Sequence, residues 1–200
     1  MAEQGARIAE GATRERRGIH VRAVEPGSPA DRAGIRAGEW LIAINDRPIE
    51  DPLDCKFHQV APLLRVRLGD GKGGAERVVL VEKDEVEDLG VDFQVLIPRT
   101  CNNACVFCFV DQLPQGLRSS LYIHDDDHRF SFLHGNFVTL TNLREGEVEK
   151  IVEQRLSPLN VSVHATDDAV RREMLGNPTA TPILPLLRRL AEGRITVHAQ

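Results

Sequence analysis

Three of the four cysteines in this sequence fall within one stretch of eight residues, CNNACVFC. Cys101, Cys105 and Cys108 are separated by three and by two residues. Cysteine binds metals as the thiolate, and these spacings let a single loop wrap three thiolates around one centre. Structural zinc normally takes four protein ligands, whereas three thiolates on a 4Fe–4S cluster leave one iron open to a small molecule. The stretch therefore predicts a metal centre.

Two other interpretations of these thiols stay open. A zinc site could be completed by a histidine, with His124, His128 or His134 as the candidates. The thiols could also be three unrelated buried cysteines, although free cysteine seldom occurs as a cluster. The fourth cysteine, Cys55, lies far from the others in the sequence and is expected to pack as a small apolar side chain.

The overall composition excludes several classes of function. The chain has 200 residues, of which 42% are hydrophobic and 28% charged, with a net charge of −5. A negative chain without a stripe of Lys and Arg gives no reason to expect nucleic-acid binding. No apolar run reaches the roughly 18–20 residues that span a bilayer, and the start lacks the apolar core of a signal peptide. We therefore predict a cytoplasmic protein with reduced thiols and with no membrane or nucleic-acid partner.

Residues 17–84 have the pattern of a small β-rich domain. The stretch GIHVRAV alternates apolar and polar residues, as a half-buried strand does. Ser28 can cap a short helix that Gly34 ends. A hairpin is predicted where the glycine-rich GDGKGG separates LLRVRL from RVVLVEK. Residues 1–16 are predicted to be a disordered tail, and residues 85–90 a linker.

Residues 91–200 change to an alternation of strands and helices. The predicted strands read VDFQVLIP, GNFVTLTN, LNVSVHAT and RITVHAQ. Helical periodicity appears between them, as in REGEVEKIVEQRL and around DDAVRREML. Strands that alternate with helices build a parallel sheet of βα units. The predicted fold class is α/β, and four strands do not close a barrel.

The cysteine stretch also carries a family resemblance. The segment RTCNNACVFCFVDQLP resembles the CxxxCxxC loop of radical SAM enzymes, which follows the first strand of their barrel. The wider text, from FCFVDQLPQGLRSS to LSPLNVSVHATD, resembles a subgroup that joins an N-terminal PDZ domain to a radical SAM barrel and a C-terminal domain of unknown function. The resemblance implies a 4Fe–4S cluster on Cys101, Cys105 and Cys108, with S-adenosylmethionine on the open iron. It also implies a radical enzyme of unknown substrate that takes its electron from an external donor.

The resemblance implies roles for residues near the cluster. Phe107, directly before the last cysteine, matches an aromatic residue that lies beside the adenine in this family. Thr141 and Asn142 stand where many members carry a GGE-like segment that holds the methionyl amine. Asn142 could equally cap the following helix, with Glu145 as its third residue.

The end of the third predicted strand and one acidic segment complete the candidate site. Ser162 and His164 share a face by alternation, and if that face points into the barrel both reach the ribose or the substrate. A lone strand histidine is also common as a satisfied core residue. The segment YIHDDDHRF places three acids between two histidines, which could bind a divalent metal but more commonly form a solvated loop.

The stretch VEPGSPADRAGIRAGEWLIAINDRPI resembles bacterial PDZ domains, with Trp40 where those domains usually carry an acidic residue. PDZ domains bind extended peptides by adding a strand to a sheet edge, and often capture a C-terminal carboxylate. The resemblance puts the carboxylate loop at Arg17–Gly18–Ile19. It implies a peptide or C-terminal tail as partner, most simply one from the same chain. A domain that only packs on its neighbour is the alternative.

These observations together predict an iron–sulfur and S-adenosylmethionine dependent radical enzyme with a PDZ-like domain. The alternative is a non-catalytic PDZ scaffold with a zinc-binding cysteine loop, and an iron–sulfur electron carrier is a third candidate. The radical SAM core resembles six βα units, of which residues 91–200 would hold three and the start of a fourth strand at Ile195–His198. We therefore expect these 200 residues to be the N-terminal portion of a longer protein.

Overall fold

The computed structural model describes residues 18–200. These residues form two compact units that divide between Leu96 and Ile97. The predicted tail at residues 1–16, and Arg17 of the predicted carboxylate loop, lie outside the described residues. None of the helices formed by the described residues combines the length and the apolar character that crossing a bilayer requires.

The N-terminal unit consists of a sheet and two short helices. Its elements are β1 (Ile19–Val24), α1 (Pro29–Arg32), β2 (Trp40–Ile44), β3 (Arg47–Pro48), α2 (Pro52–His58), β4 (Leu63–Gly69), β5 (Arg77–Glu82) and β6 (Val91–Phe93). The strands lie in the order β5-β4-β2-β1-β6, with β3 on β2, and all of these pairings are antiparallel. The β-rich N-terminal domain and its β4–β5 hairpin are therefore confirmed.

Local hydrogen bonds and glycine geometry explain where these elements begin and end. Ser28 caps α1, because its Oγ accepts a hydrogen bond from the backbone N of Asp31 at 3.3 Å. Gly34 follows the helix with φ +78°, a left-handed conformation that glycine adopts without strain. The turn between β2 and β3 has positive φ at Asn45 and Asp46, as tight hairpin turns require.

The core of this unit contains side chains from the sheet and from both helices. Leu41, Ile44 and Leu64 are fully buried there. Cys55 of α2 lies in the same core with 3% of its surface exposed, and burial raises the pKa of its thiol to about 12. A buried thiol with so high a pKa stays protonated and packs as an apolar group, as expected for Cys55.

The stretch VDFQVLIP joins a different sheet from the one expected. It was predicted to be the first strand of the βα units, and this assignment is wrong because Val91–Phe93 form β6 and pair antiparallel with β1. The preceding segment is not a free linker either. Leu89 is buried in the N-terminal core, and its carbonyl accepts a hydrogen bond from the backbone N of Ala30 at 3.1 Å. Residues 85–96 therefore belong to the N-terminal unit.

The strand β1 is not an edge strand, which contradicts the predicted position of the carboxylate loop. β2 pairs along one side of β1 and β6 along the other. Ile19 is paired with Leu41 of β2. Gly18 lies so close to β2 that a Cβ at this position would be 2.4 Å from the Leu41 carbonyl oxygen. A peptide cannot add a strand at β1, because β6 of the same chain already does so.

The C-terminal unit is a parallel α/β arrangement. Its elements are a 3₁₀ helix (Ser119–Tyr122), α3 (His128–His134), β7 (Phe137–Val138), α4 (Glu147–Glu153), β8 (Leu159–Val161), α5 (Asp168–Leu175), α6 (Ile183–Glu192) and β9 (Val197–Ala199). The strands lie in the order β7-β8-β9, and both pairings are parallel. The prediction of alternating strands and helices around a parallel sheet is confirmed, with three strands in place of the expected four.

Aspartate and glycine residues mark the ends of two of these helices. Asp127 caps α3 and Asp167 caps α5, each accepting hydrogen bonds from backbone N–H groups of the first turn. Gly135 and Gly176 follow the two helices with φ +77° and +57°. A left-handed glycine directly after the last turn is a common helix stop.

The start of α4 differs from the sequence prediction. Asn142 was proposed as its cap with Glu145 as the third helical residue, but the cap is Gly146, which has φ +81° and forms no side-chain bond. The carboxylate of Glu147 instead accepts a hydrogen bond from the backbone N of Arg144 at 2.7 Å. The capping role proposed for Asn142 is therefore wrong, because the helix begins four residues later than that role requires.

Candidate metal and cofactor site

The cysteine loop, residues 101–108, is held to its surroundings by backbone contacts. Cys101 donates its backbone N–H to the carbonyl of His124 at 2.9 Å, and Ala104 donates to the carbonyl of the last residue of α5, also at 2.9 Å. Gly176 approaches the loop so closely that a Cβ there would be 2.3 Å from the Ala104 carbonyl oxygen. The loop is therefore fixed against the C-terminal end of α5.

The three thiols of the loop lie in one neighbourhood. All are half-buried, and none forms a disulfide. Burial, together with the neighbouring charges of Cys101 and Cys108, raises the pKa of the Cys105 thiol to about 11. The pKa of Cys101 is also raised, again chiefly by burial. Because a cation replaces the thiol protons, a bound metal would relieve this cost, and the donor set fits a thiophilic centre.

Asn103, between the first two cysteines, connects the loop to the end of β7. Its Nδ2 lies 3.3 Å from the sulfur of Cys101 and 2.9 Å from Oγ1 of both Thr139 and Thr141. Its Oδ1 accepts a hydrogen bond from Nδ2 of Asn177 at 2.8 Å. One amide group therefore links a cysteine to the strand end and to the segment that follows α5.

The buried carboxylate of Asp126 belongs to the same hydrogen-bond network. It is 2% exposed, and its Oδ2 accepts a hydrogen bond from Oγ1 of Thr139 at 2.6 Å. Oγ1 of Thr141 lies 3.3 Å from that oxygen. Thr141, predicted to hold the methionyl amine, is thus brought to the cysteine loop with its hydroxyl already hydrogen-bonded.

The three consecutive acids at residues 125–127 point to different partners. Asp125 accepts a hydrogen bond from a neighbouring asparagine at 3.1 Å, and the middle acid faces the threonines. Asp127 accepts hydrogen bonds from the side chain of Arg129 and from the backbone N of Arg99. Burial alone would raise the pKa of Asp127, but these hydrogen bonds outweigh it and lower the pKa to about 2. The run is therefore not a solvated loop, and its acids do not converge on one ion.

Asn142 has one satisfied and one unsatisfied polar atom. Its Nδ2 donates to the carbonyl of Thr100 at 3.1 Å, while its Oδ1 is buried without a hydrogen-bond partner. A buried acceptor without a donor costs about 1–3 kcal/mol. The unsatisfied oxygen can accept a hydrogen bond from an amine, which is the group that Asn142 is predicted to hold.

Phe107 and His164 meet although they are 57 residues apart in the sequence. Their ring centroids lie 4.4 Å apart with an interplanar angle of 58°. Burial lowers the pKa of His164, and the charge of Arg171 lowers it further, so the neutral ring is favoured. Two residues predicted to flank the cofactor are therefore in contact.

Ser162 and His164 do not share a strand face in the expected way. β8 ends at Val161, and His164 has φ +61°, which interrupts the alternation. Ser162 is buried with 8% exposure, and its backbone N donates to the carbonyl of Val138 at 2.8 Å. The alternation argument is therefore wrong at these two residues, and His164 contacts Phe107 of the cysteine loop from a left-handed backbone conformation.

Arg171 is the largest fully buried side chain among the described residues. Its guanidinium donates to the carbonyls of Thr139 at 2.8 Å, Val163 at 3.1 Å and Thr181 at 3.3 Å. Burial lowers its pKa, although nearby acids including Asp126 oppose this effect. Arg171 therefore joins the ends of β7 and β8, the two strand ends that carry the candidate site.

Of the three histidines considered as zinc ligands, His124 is the one that contacts a cysteine. Its Nδ1 lies 3.8 Å from the sulfur of Cys108, and its Nε2 lies 3.2 Å from Oδ1 of Asp111. The ligand atoms of these three residues lie within 4.8 Å of one another. His128 is buried with Nδ1 unpaired, and His134 is exposed at the end of α3.

Sequence reasoning missed several members of this site. Asn103, Asp111 and Asn177 were not proposed, although each contacts a predicted site residue or its neighbour. Asp126 was proposed only as a member of the acidic run that could bind a divalent metal, and its contact with the threonines at the end of β7 was not expected. The position of Asn103 inside the cysteine loop was the available signal. Asn177 and Asp126 come from other segments, and their contacts depend on the tertiary fold.

An antiparallel β-rich unit is thus followed by a parallel α/β unit that carries three thiols on one loop near its strand ends. The chain belongs to the family of radical SAM-like domains, which matches residues 83–200. A PDZ domain matches residues 20–70. The predicted order of a PDZ domain followed by a radical SAM-like domain is confirmed. The radical SAM-like match begins inside the N-terminal unit and includes β6.

Curated relatives match a smaller part of the chain. The Na(+)/H(+) exchange regulatory cofactor NHE-RF2 of Oryctolagus cuniculus is 38% identical over 74 residues, which cover 37% of this chain and 21% of that protein. The protein of the same name from Mus musculus is 36% identical over 74 residues, covering 37% and 20%. The matched segment spans about a fifth of the length of these relatives.

Proposed function

We propose that this chain binds a 4Fe–4S cluster through Cys101, Cys105 and Cys108 and acts as an S-adenosylmethionine dependent radical enzyme. The observation that carries the proposal is the loop itself, in which three unpaired, half-buried thiols share one neighbourhood inside a radical SAM-like domain. Three thiolates leave one iron of the cluster without a protein ligand. That iron is where the amino and carboxylate groups of S-adenosylmethionine would bind.

The residues around the loop suit the binding of S-adenosylmethionine. The bound cluster and cofactor would supply reductive cleavage of the sulfonium and a 5′-deoxyadenosyl radical, as the family resemblance implies. Phe107 would lie against the adenine, with His164 supporting its ring. Asn142 offers a free acceptor to the methionyl amine, and Thr141 borders the same position. Ser162 is the remaining candidate for the ribose or the substrate.

The strands β7, β8 and β9 would be part of a radical SAM barrel, with the site at the carboxyl ends of the strands, where βα barrels carry their chemistry. The substrate is unknown, and the electron would come from an external donor. Free thiols and iron–sulfur clusters need a reducing compartment, for which the cytoplasm is the proposed location.

Anoxic reconstitution followed by iron, sulfide and zinc analysis tests this proposal. We expect four irons and four sulfides per chain, which follows from the composition of the cluster. Replacing Cys101, Cys105 or Cys108 with Ala should remove the chromophore, because two thiolates hold the cluster poorly. Cys55→Ala is the matched control, since this cysteine is buried in the N-terminal core. Full iron and sulfide in the triple variant would contradict the proposal.

The contact of His124 with Cys108 favours a second candidate, a PDZ scaffold with a zinc-binding loop. The three thiolates and Nδ1 of His124 would make a four-ligand site, with Asp111 hydrogen-bonded to the other ring nitrogen. The same metal analysis separates the two candidates. One zinc per chain without sulfide, lost in His124→Ala, would favour the scaffold and contradict the radical enzyme.

We further propose that the N-terminal unit binds an extended peptide or C-terminal tail along β6. β6 is the last strand in the sheet order, so its outer edge is where another strand can add. The PDZ match supports this type of ligand. Backbone amide NMR with C-terminal peptides should show shifts at residues 89–95 and smaller shifts along β1. Shifts confined to β1, or no shift with any peptide, would contradict edge pairing at β6.

A further inference from the structure

The contacts of His124 suggest a role that is separate from metal ligation. The sulfur of Cys108 lies 3.8 Å from Nδ1, and the carboxylate of Asp111 lies 3.2 Å from Nε2. These two contacts use opposite nitrogens of the ring. Imidazole binds a metal ion through one nitrogen, so an ion held by all three side chains would need both partners near the same nitrogen. The ring of His124 therefore lies between the Asp111 carboxylate on one side and the Cys108 sulfur on the other.

We propose that His124, oriented by Asp111, donates a hydrogen bond to the sulfur of Cys108 and thereby sets the reduction potential of the cluster. The inference rests on the proposed function, because it needs the cluster on the three cysteines. A thiolate bound to iron accepts hydrogen bonds and does not donate them, so Nδ1 carries the proton in this contact. Because Nε2 also donates, to the carboxylate of Asp111, the ring in this arrangement is the imidazolium, and Asp111 fixes its orientation.

A hydrogen bond to a cysteine sulfur stabilises the more negative, reduced form of an iron–sulfur cluster. Hydrogen bonds to the sulfurs, net charge and solvent exposure are the protein's means of setting the potential. Here the donors differ between two of the thiols, because Cys101 is contacted by the neutral amide of Asn103 and Cys108 by the imidazolium of His124. His124 also supplies the carbonyl that accepts the Cys101 backbone N–H, so one residue fixes both ends of the loop.

The pair can be altered without disturbing the core. Asp111 has a side chain that is 65% exposed, and the side chain of His124 is 38% exposed. His134 provides a matched control, since it is an exposed histidine of the same unit whose ring contacts Phe130. Replacing each histidine with Phe removes both ring nitrogens and keeps an aromatic ring of similar size.

The test is an EPR-monitored redox titration of the reconstituted full chain, with iron and sulfide measured in each variant. We expect His124→Phe to lower the midpoint potential, Asp111→Asn to lower it less, and His134→Phe to leave it unchanged. Equal potentials in all four proteins at equal iron content would overturn the inference and leave the proposed function standing. Loss of iron in His124→Phe would identify the imidazole as a ligand and overturn it as well. A parent chain without iron and sulfide would overturn the proposed function first.

Discussion

Replacing Asn103 with Leu should loosen the cysteine loop without removing a thiol. The amide of Asn103 reaches Thr139, Thr141, Asn177 and the sulfur of Cys101 at distances of 2.8–3.3 Å. Its two N–H protons can bond only two acceptors at a time, and its Oδ1 accepts one more hydrogen bond. About three hydrogen bonds therefore contribute to stability at once, at about 1 kcal/mol each. Leu has nearly the same size but no polar atoms. We therefore expect local stability to fall by about 2–4 kcal/mol.

Hydrogen exchange at the loop amides, measured on the metal-free chain, gives this change directly. Ala104 and Val106 donate backbone hydrogen bonds to the end of α5, so their amides report opening of the loop. Asn102→Ala is the control, because Asn102 is exposed and its Oδ1 accepts one hydrogen bond from Thr141. Unchanged protection in Asn103→Leu, or equal loss in the control, would refute the idea that this amide holds the loop.

Three further predictions concern groups around the site. Arg171→Leu should lower the free energy of unfolding by about 3 kcal/mol or more in chemical denaturation, because three buried carbonyls lose their charged donor. Gly176→Ala should lower the free energy of unfolding by at least about 1–2 kcal/mol, because φ is +57° and the added Cβ would meet the Ala104 carbonyl oxygen. Gly116→Ala is the comparison, because Gly116 also has a positive φ but has open space where its Cβ would lie. The pKa of Asp127 is lowered from 3.8 to about 2, which contributes about 2 kcal/mol to the free energy of unfolding above about pH 4. This contribution is lost as the pH falls towards 2, so acid denaturation of Asp127→Asn should lack that part of the parent's loss of stability.

Features governed by local chemistry could be predicted from the sequence. Ser28 and Gly34 mark the ends of α1 through contacts within a few residues. The hairpin of β4 and β5 follows from two alternating strands around a glycine-rich turn. The spacing of Cys101, Cys105 and Cys108 likewise needs no tertiary information, because one loop carries all three candidate ligands.

Features that depend on distant partners could not be predicted. A short apolar run such as VDFQVLIP indicates a strand but does not say which sheet it joins, and Val91–Phe93 pair with β1 about 70 residues earlier. The acids at residues 125–127 look like a solvated run, yet the partners of Asp126 and Asp127 include Thr139 and Arg99. Charge patterns carry no information on such contacts.

The backbone conformation of a single residue could not be predicted from the sequence either. His164 has φ +61°, which is uncommon for a residue other than glycine. Alternation along an ideal strand would have put His164 and Ser162 on one face. In the structure His164 has a left-handed backbone, and its imidazole lies against Phe107 with 4.4 Å between the ring centroids. The contact between these two predicted site residues therefore involves a backbone conformation that periodicity does not encode.

The central claim is that three thiolates hold a cluster with one iron open to S-adenosylmethionine. The most direct measurement is the EPR spectrum of the reduced, reconstituted chain with and without S-adenosylmethionine. We expect a spectrum that changes when S-adenosylmethionine is added, because its amino and carboxylate groups would bind the open iron. An identical spectrum in a chain with full iron and sulfide would contradict the account, because the fourth position would then be closed.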